Sequence, residues 1–156
     1  MDMNEILGRK PIGRPCIPTL NFLVGDRLCN KDCPYCISKM TKPPRSNGSL
    51  AYGVSVTWHK NIKLAYEVAK KYQTDTALVT GKGEPLLWFE EVKEIITLSR
   101  ENGFITELQT NGDLLDERKV YELSKAGLNT LAISRLAWES IENNIMCGGK
   151  SSDLKI

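Results

Sequence analysis

Three β-prone segments, residues 74–80, 104–110 and 128–134, follow one another at βαβ distance, and a helical stretch fills each interval. Such intervals are too long for hairpins and suit a strand, a crossover helix and a parallel strand. The fold class expected is α/β, built on a parallel sheet. An earlier strand is expected over residues 19–24, where Leu20, Phe22 and Val24 share one face before Gly25. The segment at 74–80 stops at Gly81, and the next stops at Asn111-Gly112.

The helices between them carry their own signals. Residues 59–73 place Ile62, Ala65, Ala69 and Tyr72 on one stripe, with Leu64 and Val68 beside it. Residues 87–102 turn Val92, Ile95, Ile96 and Ser99 to one side, and Gly103 suits the C′ position. Asp116 is the expected N-cap of a helix through Ala126, closed by Gly127. Trp58 and Trp88 flank helices as packing residues, and His59 reads as a first-turn surface residue.

A chain of 156 residues with 41% hydrophobic and 26% charged residues is of a size and mix for one domain. Residues 1–17 read as an irregular lead-in, 18–145 as the core and 146–156 as a polar tail. No apolar run approaches the roughly 20 residues of a membrane span. The acidic start, Met1-Asp2-Met3-Asn4-Glu5, lacks the order of a signal peptide, so a cytoplasmic protein is expected. A net charge of +2 gives no electrostatic case for a nucleic-acid partner. Lys39, Lys42 and Arg45 form a mildly basic loop, most simply a solvated one.

Ligands of parallel sheets collect at the carboxyl ends of the strands. Just past the first strand lies Cys29-Asn30-Lys31-Asp32-Cys33-Pro34-Tyr35-Cys36. Five cysteines, three of them crowded here, point to metal or redox chemistry rather than a disulfide scaffold; Cys16 and Cys147 stand alone as incidental thiols. A structural zinc site would need a fourth ligand from Cys16, Cys147 or His59. Cys33-Pro34-Tyr35-Cys36 alone matches a glutaredoxin-like redox motif, which leaves Cys29 without a role. The third reading is a 4Fe–4S cluster on three thiolates, with one iron open to a ligand.

The next strand end, Thr80-Gly81-Lys82-Gly83-Glu84-Pro85, is either a simple β-to-α turn or a ligand loop. In the second case its glycines admit a ligand to the backbone and Glu84 accepts from an ammonium group. Gln109-Thr110-Asn111-Gly112 is first of all a turn, and Ile133-Ser134-Arg135 ends the last strand.

The spacing Cys-x3-Cys-x2-Cys, with Tyr35 before the last cysteine, resembles the radical S-adenosylmethionine (radical SAM) superfamily. The resemblance implies that Cys29, Cys33 and Cys36 hold a 4Fe–4S cluster whose open iron is chelated by the amino and carboxylate groups of S-adenosylmethionine. It implies reductive cleavage to a 5′-deoxyadenosyl radical that abstracts hydrogen from a substrate. Gly81, Gly83, Glu84 and Pro85 look like the family's Gly-Gly-Glu motif, which holds the methionine amino group. Tyr35 would contribute backbone contact to the adenine. Thr110 and Asn111 are similar to a Thr-Asn-Gly that faces the ligand, and Ser134 and Arg135 stand where the family contacts ribose and carboxylate.

An electron donor such as flavodoxin or ferredoxin is also implied. The family core is a partial (β/α) barrel of six units, of which about four are recognisable here. The chain thus resembles the front part of that core, or else a small activase that generates a glycyl radical on a partner enzyme. A free parallel edge after the fourth strand implies self-association or a complementing chain.

Overall fold

The computed structural model describes residues 19–25, 27–36, 38, 58–137 and 139–148. The lead-in with Cys16, the basic loop of Lys39, Lys42 and Arg45, the tail beyond residue 148 and the side chains of Trp58 and His59 lie outside them.

Four strands, β1 (Thr19–Val24), β2 (Thr76–Gly81), β3 (Ile105–Thr110) and β4 (Thr130–Ile133), form one parallel sheet in sequence order. The register pairs Val24 with Gly81 and Thr110 with Ile133, so the carboxyl ends of neighbouring strands lie level and their loops meet. Among the described residues, the helices that follow the strands are α1 (Trp58–Lys71), α2 (Phe89–Glu101), α3 (Glu117–Ala126) and α4 (Ser140–Met146).

Alternation along the strands builds the core. Ala77 and Val79 of β2 and Thr106 and Leu108 of β3 are fully buried, whereas Ile105 and Gln109 on either side of the β3 pair are exposed. Ile62 and Tyr66 of α1 and Val92, Ile95 and Ile96 of α2 join the same cluster. Val92, Ile95, Ile96 and Ser99 are buried as their spacing predicts. In α1 the buried line is Ile62, Tyr66 and Ala69, rotated from the expected stripe. The Tyr66 ring draws it round, with Phe22 at 5.6 Å and Phe104 at 5.2 Å, while its hydroxyl bonds Ser99 at 2.8 Å. Leu64 and Val68 are consequently exposed, and they line an apolar groove beside Leu20.

The caps follow their chemistry. Asp116 accepts from the Lys119 amide at 2.7 Å, and Gly127 closes α3 at φ +101°, a left-handed value that suits glycine. The helix expected from residue 87 starts differently. Glu84 caps a 3-10 turn, Pro85–Trp88, and α2 begins only at Phe89. Proline at the first position and a side-chain acceptor on the Leu86 amide favour that tighter first turn. β2 and β4 each begin two residues later than their β-prone segments, because Thr74 and Leu128 still serve the ends of the preceding helices through amide bonds to Ala69 and Leu123.

Candidate functional site

The loop after β1 and the turn after β2 are in backbone contact. The Glu84 amide donates to the Leu28 carbonyl at 2.9 Å. A Cβ placed on Gly83 would lie 1.9 Å from that carbonyl oxygen, so only glycine lets the two loops approach this closely. Ser38 reaches the same turn, its hydroxyl donating to the Lys82 carbonyl.

The turn after β3 closes the other side. Glu84 is 2% exposed, and its carboxylate accepts from the Thr110 hydroxyl at 2.6 Å, the Asn111 amide at 2.9 Å and the Leu86 amide at 3.0 Å. Asn111 Nδ2 donates to Asn30 Oδ1 at 2.8 Å and to Cys29 Sγ at 3.7 Å. Lys31 Nζ pairs with Asp113 at 3.1 Å, both side chains almost wholly buried. The cysteine loop is therefore clasped by the ends of both β2 and β3.

Between these loops lies a cleft of about 190 Å³. Cys29, Cys33, Gly81, Gly83, Glu84, Pro85, Thr110, Asn111 and Ser134 all line it, so most of the residues singled out in the sequence come together. Lys31, Thr80 and Gln109 line it as well. Three residues do not: Cys36 sits on the turn that its amide closes onto the Cys33 carbonyl, Tyr35 is exposed, and Arg135 donates from Nε to the Ala137 carbonyl. Ser134 is held at the strand end by its amide, which donates to the Thr110 carbonyl at 2.8 Å.

The thiols differ in surroundings. Partial burial pushes the Cys29 thiol above its usual range, against the Lys31 amide that donates to its sulfur at 3.4 Å. Tyr35, Cys33 and Cys147 have their side chains within hydrogen-bonding reach of one another, and burial raises the Cys147 thiol; the Tyr35 ring is exposed, yet local desolvation and the Cys33 contact raise its hydroxyl. Cys147 is no incidental thiol of a loose tail. It is 2% exposed at the end of α4, its carbonyl accepts from the Asp32 amide at 3.3 Å, and Gly148 lies against Asp32 so closely that a Cβ would fall 2.5 Å from its carbonyl oxygen.

Among the described residues, no three Cys, His, Asp or Glu side chains converge on a point that would hold a single metal ion. A 4Fe–4S cubane asks something different, since each thiolate binds its own iron corner. Three free thiols on one loop, with two N–H groups already directed at Cys29 Sγ, fit that demand.

The Radical SAM superfamily profile matches residues 26–153, most of the chain. The chain belongs to the radical SAM superfamily. Its open parallel sheet is that of a partial (β/α) barrel of the radical SAM type. It is also similar to "Uncharacterized protein MJ0804" of Methanocaldococcus jannaschii, at 30% identity over 120 residues, or 77% of this chain. The chain spans 35% of the length of that curated relative. Among solved structures, TYW1 with a lysine-pyruvate adduct bound is similar over 85% of this chain and 45% of its own, at 23% identity and a TM-score of 0.44. No helix among the described residues of this radical SAM chain is long and apolar enough to cross a membrane.

Asn30, Lys31, Gln109 and Asp113 carry no motif signal of their own. Asn30 and Lys31 occupy the variable spacer of the cysteine motif, and Asp113 follows a turn that reads as complete at Gly112.

Proposed function

We propose that Cys29, Cys33 and Cys36 hold a 4Fe–4S cluster and that the adjoining cleft binds S-adenosylmethionine. The observation that carries the reading is the meeting of the cysteine loop and the Gly-x-Gly-Glu turn across Gly83 and Leu28, two motifs far apart in sequence sharing one cleft. Membership of the superfamily favours this over a mononuclear zinc site or a thiol redox pair. When bound, the cluster supplies the electron that cleaves the sulfonium carbon–sulfur bond, giving methionine and a 5′-deoxyadenosyl radical for hydrogen abstraction.

The chain's own groups bind and orient. A carboxylate has about four acceptor positions. Three on Glu84 are taken by Leu86, Thr110 and Asn111, which leaves one for the methionine ammonium. Lys31 lines the same cleft, but its ammonium is engaged by Asp113, so the ligand's ammonium partner is Glu84. The hydroxyls of Thr80 and Ser134 and the amide of Gln109 offer partners for a ribose. Tyr35 and Arg135, outside the lining, would contact the nucleoside from the rim. The reductant would be a low-potential carrier such as flavodoxin or ferredoxin, in a cytoplasmic setting.

Anaerobic reconstitution with iron and sulfide tests this. A brown protein whose reduced-cluster electron paramagnetic resonance signal changes on adding S-adenosylmethionine is expected, and each of Cys29→Ala, Cys33→Ala and Cys36→Ala should abolish the iron–sulfur absorbance. A protein that stays colourless, or a cluster indifferent to S-adenosylmethionine, overturns the reading.

A complementing chain or a second copy is proposed at the β4 edge, where among the described residues β4 pairs with β3 alone. Sedimentation of the purified chain should show association; a clean monomer that binds S-adenosylmethionine would contradict it.

A further inference from the structure

We propose that Asn111 is a positioning residue for the Cys29 thiolate, which its side-chain amide holds in place and whose charge it stabilises. The inference rests on the reading of Cys29 as a cluster ligand. It concerns a residue otherwise expected only to face the ligand.

The orientation of the Asn111 amide is fixed by its neighbours. Its Oδ1 accepts from the Asp113 amide at 3.0 Å, so Nδ2 must point the other way. Nδ2 carries two hydrogens, and two acceptors await them: Asn30 Oδ1 at 2.8 Å and Cys29 Sγ at 3.7 Å. The backbone of the same residue is pinned by its amide, which donates to Glu84 Oε2 at 2.9 Å. Asn111 therefore has little freedom to turn toward a ligand without breaking bonds on three sides.

Cys29 Sγ also accepts from the Lys31 amide at 3.4 Å. The sulfur thus meets two N–H groups, one from its own loop and one from a residue 82 positions away. The local donor fixes the loop's shape, while the distant one ties the sulfur to the end of β3. Hydrogen bonds to a ligating sulfur are among the levers that set a cluster's reduction potential. A donor favours the more negative, reduced state, so removing it lowers the potential.

The test uses the 156-residue chain reconstituted anaerobically, with Asn111→Leu and Asn111→Asp beside the wild type. Leucine removes the donor while keeping the branch at Cγ. Aspartate keeps the Oδ1 contact to Asp113 and places a second oxygen where the donor was. Both variants should retain the wild-type iron content, and their midpoint potentials should fall, further in Asn111→Asp. Loss of the cluster from a variant whose circular dichroism and melting temperature match the wild type also supports the positioning role. Wild-type potentials in both variants overturn it.

Should neither variant fold, the wild type decides. A pulsed electron paramagnetic resonance coupling from side-chain 15N-labelled asparagine to the reduced cluster that persists in Asn30→Asp supports the proposal, and its absence overturns it. Failure of the wild type itself to take up iron would strike the cluster reading instead.

Discussion

The Thr110 hydroxyl donates to the Glu84 carboxylate at 2.6 Å, a buried bond that ties the carboxyl end of β3 to the turn after β2. Glu84 also joins that turn to the cysteine loop, because its amide donates to the Leu28 carbonyl. Three loops of three strands thus share one acidic residue. Its place in the motif is therefore structural, beside the ligand role proposed for it.

Replacing Glu84 should accordingly cost stability as well as ligand affinity. Glu84→Ala strands three donors in a buried site, a loss of about 3 kcal/mol. Glu84→Gln keeps one oxygen and should cost less. Urea denaturation of the two variants checks the order; equal stability of Glu84→Ala and the wild type would reduce Glu84 to a ligand contact alone.

Gly83 and Gly81 should respond differently to the same added methyl group. At Gly83 the new carbon meets the backbone of Leu28 and Arg27, which has no flexible end to move aside. At Gly81 the nearest atoms are at 3.1 and 3.2 Å, a misfit of a few tenths of an ångström. Gly83→Ala should lose about 2 kcal/mol, typical of overpacking, and much of its iron uptake, while Gly81→Ala retains most of both. Thermal denaturation and iron content after reconstitution provide the comparison.

Lys31 and Asp113 form a buried ion pair, so removing one partner takes the opposite charge away from the other. Lys31→Met should cost about 3–5 kcal/mol, and adding Asp113→Asn should recover much of the loss. A double variant as unstable as Lys31→Met in chemical denaturation would show that the pair does not govern the site's stability.

The strands, caps and cysteine motif were legible because each is written within a few neighbouring residues. Alternation gave β1 to the residue, and Asp116 and Gly127 marked the ends of α3 by local backbone chemistry. The stripe of α1 was displaced because Tyr66 answers to Phe22, Phe104 and Ser99, which lie on other elements. The site divides the same way. Cysteines, glycines and Glu84 stand in recognisable spacing, whereas the bonds that fix them join residues such as Asn30 and Asn111, 81 positions apart. Cys147 belongs with these: nothing near it in sequence reveals that it packs against Cys33 and Tyr35.

Acid should weaken the fold partly through α3. The bond from the Lys119 amide holds the Asp116 carboxyl below its ordinary value, and the Lys93 ammonium at 2.8 Å does the same for Glu122. A carboxyl whose pKa is lower folded than unfolded binds more protons when unfolded, so stability rises with pH through the interval between the two values. The contribution is complete above about pH 5 and is lost as the pH falls through the folded values, below the ordinary range of about 4. Asp116→Ala removes both the cap and this dependence. It should melt below the wild type at pH 7, and the gap should narrow by pH 3; a gap that stays constant in melting experiments would show that the cap's contribution does not depend on the charge.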